Sequence, residues 1–275
     1  MTTSDDVLAP IAMPTGFPPL DALLQGGLRP GLSVLAGATG SGKSALATQI
    51  ALSAAGFADD NQLNPVLFVS YEMSRHELII RMIQQLAELA DGYQPPLGFS
   101  LRDRAAAKRA LVALRNLPLV INSELDSDVG SLKALLAGEG ALKPSLIIID
   151  PLSLMTSGAT VKIDAKTDMA AVVTELRTLA RRLEIPILLV SQLSRNASGR
   201  PPEPGDLPTA NIEQDAGVVL LIDRPSYRIP NFEERTRVEA AGTPVTVSLV
   251  KSRFGPCDAI ELMWYSKRLT FEAAS

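Results

Sequence analysis

Eight residues, Gly37-Ala-Thr-Gly-Ser-Gly-Lys-Ser44, constrain this chain more than any other stretch. They fit G-x-x-x-x-G-K-[ST], a phosphate-binding loop that works only between a buried strand and a helix. Both neighbours have that character. The apolar run 32–36 reads as a buried strand, and residues 45–55 read as a helix. Gly37, Gly40 and Gly42 let the backbone curl, so that the N–H groups of Ala38, Thr39 and Ser41 converge on phosphate oxygens. The helix start adds a partial positive charge. Lys43 is placed to reach the β- and γ-phosphates of a nucleotide, and the Ser44 hydroxyl to hold Mg²⁺. The plainer alternative is a glycine-rich turn with no ligand.

The rest of the chain can support such a loop. Its 275 residues are 46% hydrophobic and 20% charged, enough for the core of one α/β domain. A single cysteine, Cys257, excludes an internal disulfide framework and fits a reducing cytosol. No apolar run approaches the roughly 18 residues of a membrane span. The acidic N-terminus lacks a signal-peptide pattern, so a cytoplasmic location without membrane contact is expected. The net charge of −4 offers no broad basic footprint. Any contact with DNA must be local, or be built by several subunits together.

Residues 1–14 read as a flexible lead and 15–275 as one domain. A turn-rich entry (15–31) precedes the loop. Strands are predicted at 66–69, 117–121, 146–149 and 186–190. Helices are predicted at 73–90, 104–115, 128–137 and 164–183. In the last of these, Met169, Val172, Val173, Leu176, Leu179, Ala180 and Leu183 repeat with helical period. In helix 73–90 the apolar face is Leu78, Met82, Leu86 and Leu89. Residues 93–98 and 195–211 read as loops, and 218–222, 245–250 and 259–264 as strands. Strand–helix alternation predicts a mostly parallel sheet covered by helices, with antiparallel strands at the C-terminal edge.

Nucleotide hydrolysis also needs a carboxylate to organise the metal, a group to position water, and positive charge on the terminal phosphate. Asp150 ends the apolar strand Leu-Ile-Ile-Ile, where a carboxylate would sit beside the phosphate crevice and hold Mg²⁺ through water. Glu72 follows strand 66–71 and is either a general base or an acid favoured at a helix N-terminus. Gln192 ends strand 187–192 and is either a γ-phosphate sensor or an ordinary polar terminus. Lys251 and Arg253 alternate on one side of an extended segment. They are either solvated or reach a neighbouring subunit's phosphate. The basic stretch 102–115 reads as a solvated helix face.

These residues resemble the C-terminal motor domain of DnaB-type replicative helicases, RecA-like P-loop ATPases. The matching segments are Thr15-Gly-Phe-Pro-Pro-Leu-Asp21, the P-loop, Ser70-Tyr-Glu-Met-Ser74 with Arg81, Leu117-Pro-Leu-Val-Ile121, Leu146-Ile-Ile-Ile-Asp150, Leu189-Val-Ser-Gln-Leu193, Ile212-Glu-Gln-Asp-Ala216 and Lys251-Ser-Arg-Phe-Gly-Pro256. The S-x-E-M, I-E-Q-D-A and K-x-R-x-G-P blocks are specific to that family. The resemblance implies an ATP hydrolase with Mg²⁺, a 5'-3' helicase working as a ring, usually of six copies, on single-stranded DNA, with a replication partner protein. It makes Glu72 the catalytic base, Asp150 the Mg²⁺ partner and Gln192 the γ-phosphate sensor. Lys251 and Arg253 become the trans-acting cations, and loops at about 152–166 and 194–211 hold the DNA.

The chain departs from the family after Asp150, with Pro-Leu-Ser-Leu-Met for the usual Tyr-Leu-Gln-Leu-Met, and at Asp206–Asn211, which lacks the family's arginine and glutamate. About fourteen residues precede the motor portion, where the family carries an N-terminal domain and linker helix. That difference favours two rival readings: a RecA- or KaiC-like ATPase, and an ATP-gated loading or assembly factor without unwinding activity.

Overall fold

The computed structural model describes residues 12–60, 64–87, 101–159, 164–194 and 199–274. Its frame is one nine-stranded sheet in the order β3-β2-β4-β5-β1-β6-β7-β8-β9. The parallel part comprises β1 (Gly31–Gly37), β2 (Val66–Ser70), β3 (Leu119–Asn122), β4 (Leu146–Asp150), β5 (Pro186–Gln192) and β6 (Val218–Asp223). Antiparallel β7 (Thr243–Ser252), β8 (Ala259–Tyr265) and β9 (Thr270–Ala273) extend one edge, as the strand-rich C-terminal third predicts.

The central strands are continuous apolar runs because helices cover both faces of the sheet. In β4, Leu146, Ile147, Ile148 and Ile149 are all fully buried. Alternate residues feed two cores. Leu146 and Ile148 join the layer containing α2 (Lys43–Asp60) and α3 (Arg75–Leu86). Ile147 and Ile149 join the layer of α5 (Val129–Leu135) and α6 (Ala165–Leu183). Each such side chain contributes roughly 1.5–3 kcal/mol by leaving water.

Helix ends are set by local chemistry. Asp164 caps α6 by accepting from the N–H groups of Lys166 and Thr167. Ser74 and Glu77 form a reciprocal capping box that starts α3 directly after the turn carrying Glu72. In α6, Val172, Val173, Leu176, Leu179 and Ala180 are buried as predicted.

Three short helices and one strand were not predicted. α1 (Pro18–Leu23) lies inside the turn-rich entry. α7 (Ala210–Asp215) follows the loop at 195–211 and is capped by Thr209. α8 (Phe232–Ala240) and β9 fall between or beyond the predicted strands. Leu86, expected on the apolar face of α3, is 38% exposed. Leu89, and the loop at 93–98, lie outside the described residues. α4 (Leu101–Asn116) carries Arg104, Lys108, Arg109 and Arg115 on an exposed face, as a solvated helix would.

Candidate active site

Register brings the crevice together. Gly37 lies opposite Gln192, Ser70 lies opposite Asp150, and Ile149 pairs with Leu189. The P-loop, Asp150, Gln192 and the turn holding Glu72 therefore share the C-terminal edge of the parallel strands, where open α/β sheets form ligand crevices.

The loop's shape depends on its glycines. Gly40 and Gly42 have φ of +77° and +100°, a region other residues rarely enter. A Cβ on Gly40 would meet the Tyr227 ring at 2.6 Å, and one on Gly42 would meet Phe271 at 2.6 Å. Lys43 folds back inside the loop and donates from Nζ to the carbonyl oxygens of Gly37 (2.9 Å) and Ala38 (2.8 Å). The Ser41 hydroxyl is buried without a partner among the described residues. An ammonium parked on carbonyls and an orphaned hydroxyl in one loop fit an absent oxyanion ligand.

Charges around the loop nearly balance. Burial lowers the Lys43 ammonium to a pKa of about 8, against the pull of Asp150 and Glu72. Burial raises the Asp150 carboxyl above its ordinary range, opposed by the Ser44 hydroxyl donating to it and by Lys43 and Arg81. The Ser44–Asp150 pair is an oxygen set suited to a hard divalent cation. Glu72 is exposed at the crevice mouth.

Arg81, quoted above only as part of a motif, proves to belong to this charge set. It is partly buried, and burial lowers its pKa, with Asp150 its strongest stabilising neighbour, followed by Glu72. The legible signal was its position: a lone cation three residues after Leu78 and one before Met82, on a face that is otherwise core.

Beside the loop opens a cavity of about 560 Å³, bordered by Ala38, Thr39, Ser41, Gln192, Arg200 and Tyr227. The guanidinium groups of Arg224 (5.0 Å) and Arg235 (4.9 Å) both lie over the Tyr227 ring. Tyr227 was not singled out from the sequence, because only the tertiary fold lays it on Gly40. Each arginine at this cavity has its own carboxylate. Arg200 pairs with Asp206 through two bonds of 2.9 and 2.6 Å, Arg228 with Asp223, and Arg224 with Glu239 at 3.6 Å.

Lys251 and Arg253 are not at this crevice. Lys251 pairs with Val219 and Ser252 with Val218, while Val218 lies beside Ser33. They sit at the starting edge of β1, separated from Gly37 by about 10 Å or more of strand. There Lys251 Nζ donates to the carbonyls of Glu213 and Gln214, and Arg253 to that of Gln214 at 3.1 Å. Of the two expected DNA loops, residues 160–163, including Lys162, and 195–198, including Arg195, lie outside the described residues. In the described parts, Asp168 accepts from Ser157 and Asp164 caps α6.

A glycine-rich phosphate loop, a strand-end carboxylate beside it and a parallel sheet define a P-loop nucleotide-binding protein of RecA-like fold. The comparisons narrow the class. The model of the DnaB-like helicase C terminal domain matches residues 12–273, and the chain belongs to that family. A probable replicative DNA helicase of Trieres chinensis is 30% identical over 273 residues, covering 94% of this chain and 56% of the relative. This chain therefore spans little more than half of that protein's length. Among solved structures, the ATPase domain of G40P has a TM-score of 0.81 at 22% identity, covering 98% of this chain and 94% of that one. A DnaB-like replicative helicase, described with its interactions with primase, also gives 0.81 at 22%, covering 98% of this chain and 65% of that one. Among the described residues no helix is long and apolar enough to cross a membrane.

Proposed function

We propose that residues 15–275 act as one ATP-hydrolysing motor of the DnaB type, driving 5'-3' translocation on single-stranded DNA as a ring of copies. The observation that carries this reading is the split of charged groups between two edges of one sheet. Lys43, Asp150, Glu72, Gln192 and Arg81 line one crevice, whereas Lys251 and Arg253 lie at the opposite edge, beyond reach of their own P-loop. A complete site then needs two copies.

In this reading the backbone N–H groups of 37–44 and the Lys43 ammonium leave their internal contacts for the β- and γ-phosphates. Ser44 and Asp150 hold Mg²⁺, which neutralises charge on the phosphate oxygens. Glu72, solvent-accessible at the mouth, orients the attacking water and accepts its proton. Gln192 donates its amide to the γ-phosphate and relays that contact into the segment after β5. Lys251 and Arg253 enter from the neighbouring copy and stabilise charge as the terminal phosphoryl group departs.

DNA contact rests on the loops after β4 and β5. In the described part of the second loop Arg200 is committed to Asp206, and Asp168, just after the first loop, accepts from Ser157. Affinity for single strands should be modest and salt-sensitive. The same observation favours a second reading, in which ATP gates assembly with a replication partner and unwinding is absent.

ATP turnover with and without single-stranded DNA, with light scattering on the same samples, tests the proposal. DNA-stimulated hydrolysis by a ring-sized particle supports the motor. ATP binding by a monomer that ignores DNA overturns it in favour of the second reading.

A further inference from the structure

A second cavity, about 310 Å³, opens at the sheet edge opposite the P-loop, between the turn before β1, the second half of α6 and the end of β7. Arginines dominate its lining: Arg29, Arg177, Arg181 and Arg253. Asp215 is the one carboxylate there, and it is already engaged, by the Thr174 hydroxyl at 2.7 Å and Arg177 at 3.2 Å. Guanidinium groups cannot shed their charge, so four of them around one carboxylate leave a standing excess of positive charge.

The donors are also pre-arranged. The Arg29 guanidinium lies 5.3 Å over the Phe254 ring and bonds the Gln25 carbonyl at 3.0 Å. Its Nε is buried without an acceptor among the described residues, and so is the Nε of Arg177. Buried donors without acceptors are uncommon and costly, and two on one cavity point to a missing acceptor. Arg181, in the last turn of α6, is exposed and makes no internal bond among the described residues. Burial holds the Lys251 ammonium below its ordinary range, with the adjacent Arg253 adding to the effect and Glu213 and Asp215 opposing it.

We propose that Arg29, Arg177, Arg181 and Arg253 together form a binding site for the phosphate groups of a polyphosphate. Planar forks at several angles suit tetrahedral oxyanions, which accept from many directions. The ligand is free polyphosphate in solution, a role separate from the trans-acting contact proposed above for Arg253 and independent of that reading.

The test uses the full chain carrying Lys43→Ala, which disables the P-loop, and titrates it calorimetrically with inorganic tripolyphosphate. Binding that weakens about tenfold or more on adding Arg29→Ala or Arg181→Ala establishes a site for free polyphosphate. That result stands even if the wild-type chain proves not to hydrolyse ATP. Absence of tripolyphosphate binding, combined with Arg181→Ala lowering wild-type turnover without changing ATP affinity and regaining it on mixing with Glu72→Ala copies, places these arginines with the trans-acting cations proposed above and overturns a separate polyphosphate site. Arg181 is exposed, so its loss does not act through misfolding. If tripolyphosphate fails to bind and both arginine variants turn over normally, the proposal is wrong. Binding of single-stranded DNA alone, lost with the same variants, also overturns it.

Discussion

The two edges of the sheet carry similar side chains in opposite arrangements. At the P-loop edge the cations named above face anions: Lys43 and Arg81 share Asp150 and Glu72, and Arg200, Arg224 and Arg228 each hold a carboxylate. At the far edge Lys251 and Arg253 rest on backbone carbonyls at the end of α7, and four arginines surround Asp215 alone. A balanced edge is ready to receive a ligand that brings its own counter-ion. In the proposed reading, an unbalanced edge is half of a site. The lesson is that one fold can hold two sets of charged groups at opposite edges that a single copy cannot join.

The strongest way to break the comparison is to remove the far edge's cation. Arg253→Ala should leave ATP binding unchanged and lower turnover by about a thousandfold or more, the scale known for arginine fingers. Equilibrium nucleotide binding alongside steady-state hydrolysis checks it. Normal turnover would make the far edge a solvated surface. At the near edge, Lys43→Ala removes charged contacts to the phosphates and should weaken ATP binding by about a hundredfold or more, read by calorimetry. Full affinity in that variant would mean the loop holds no nucleotide.

A third, smaller effect follows from protonation. Lys43 has a pKa of about 8 because burial outweighs its acidic neighbours. A bound polyphosphate favours the charged ammonium, so above pH 8 binding must take up a proton. ATP affinity should be flat between pH 7 and 8, then fall by up to about tenfold per unit as pH rises further. Lys43→Arg should abolish that inflection; an unchanged profile would show that Lys43 does not meet the phosphates. The smallest effect concerns the DNA loop. Asp206→Asn frees Arg200, and should tighten single-strand binding a few-fold while steepening its salt dependence by about 0.7 per added phosphate contact. Fluorescence anisotropy across a salt series reads both.

The buried scaffold was legible in the sequence because central parallel strands and long helices write strong patterns. The runs ending at Gly37, Asp150 and Gln192 are almost wholly apolar, and α6 repeats its core positions over about four turns. Short or polar elements write none. α7 has six residues, β9 buries only Thr270 and Phe271, and α8 carries Glu233, Glu234, Arg235 and Arg237 with Phe232 exposed, so no period emerges. Leu86 fits the helical repeat of α3, yet it borders an open cavity with Phe17 and Leu52 instead of core. For the site, the loop, Asp150 and Glu72 are readable because chain order places them after strands. The Tyr227 wall and the arginine cavity are not, since Arg29, Arg177 and Arg253 meet only through strand register. That Lys251 and Arg253 lie at the far edge likewise depends on β7 running antiparallel to β6.

The central claim is that two copies complete one hydrolytic site, and subunit mixing tests it most directly. Glu72→Ala and Arg253→Ala chains are each assayed for ATP turnover, then combined in equal amounts and assayed again at the same total concentration. The account predicts that each variant alone is nearly inactive and that the mixture regains clear activity, from interfaces pairing an intact Glu72 with an intact Arg253. A mixture no more active than the two variants measured separately, at a concentration where scattering shows assembled particles, would contradict it.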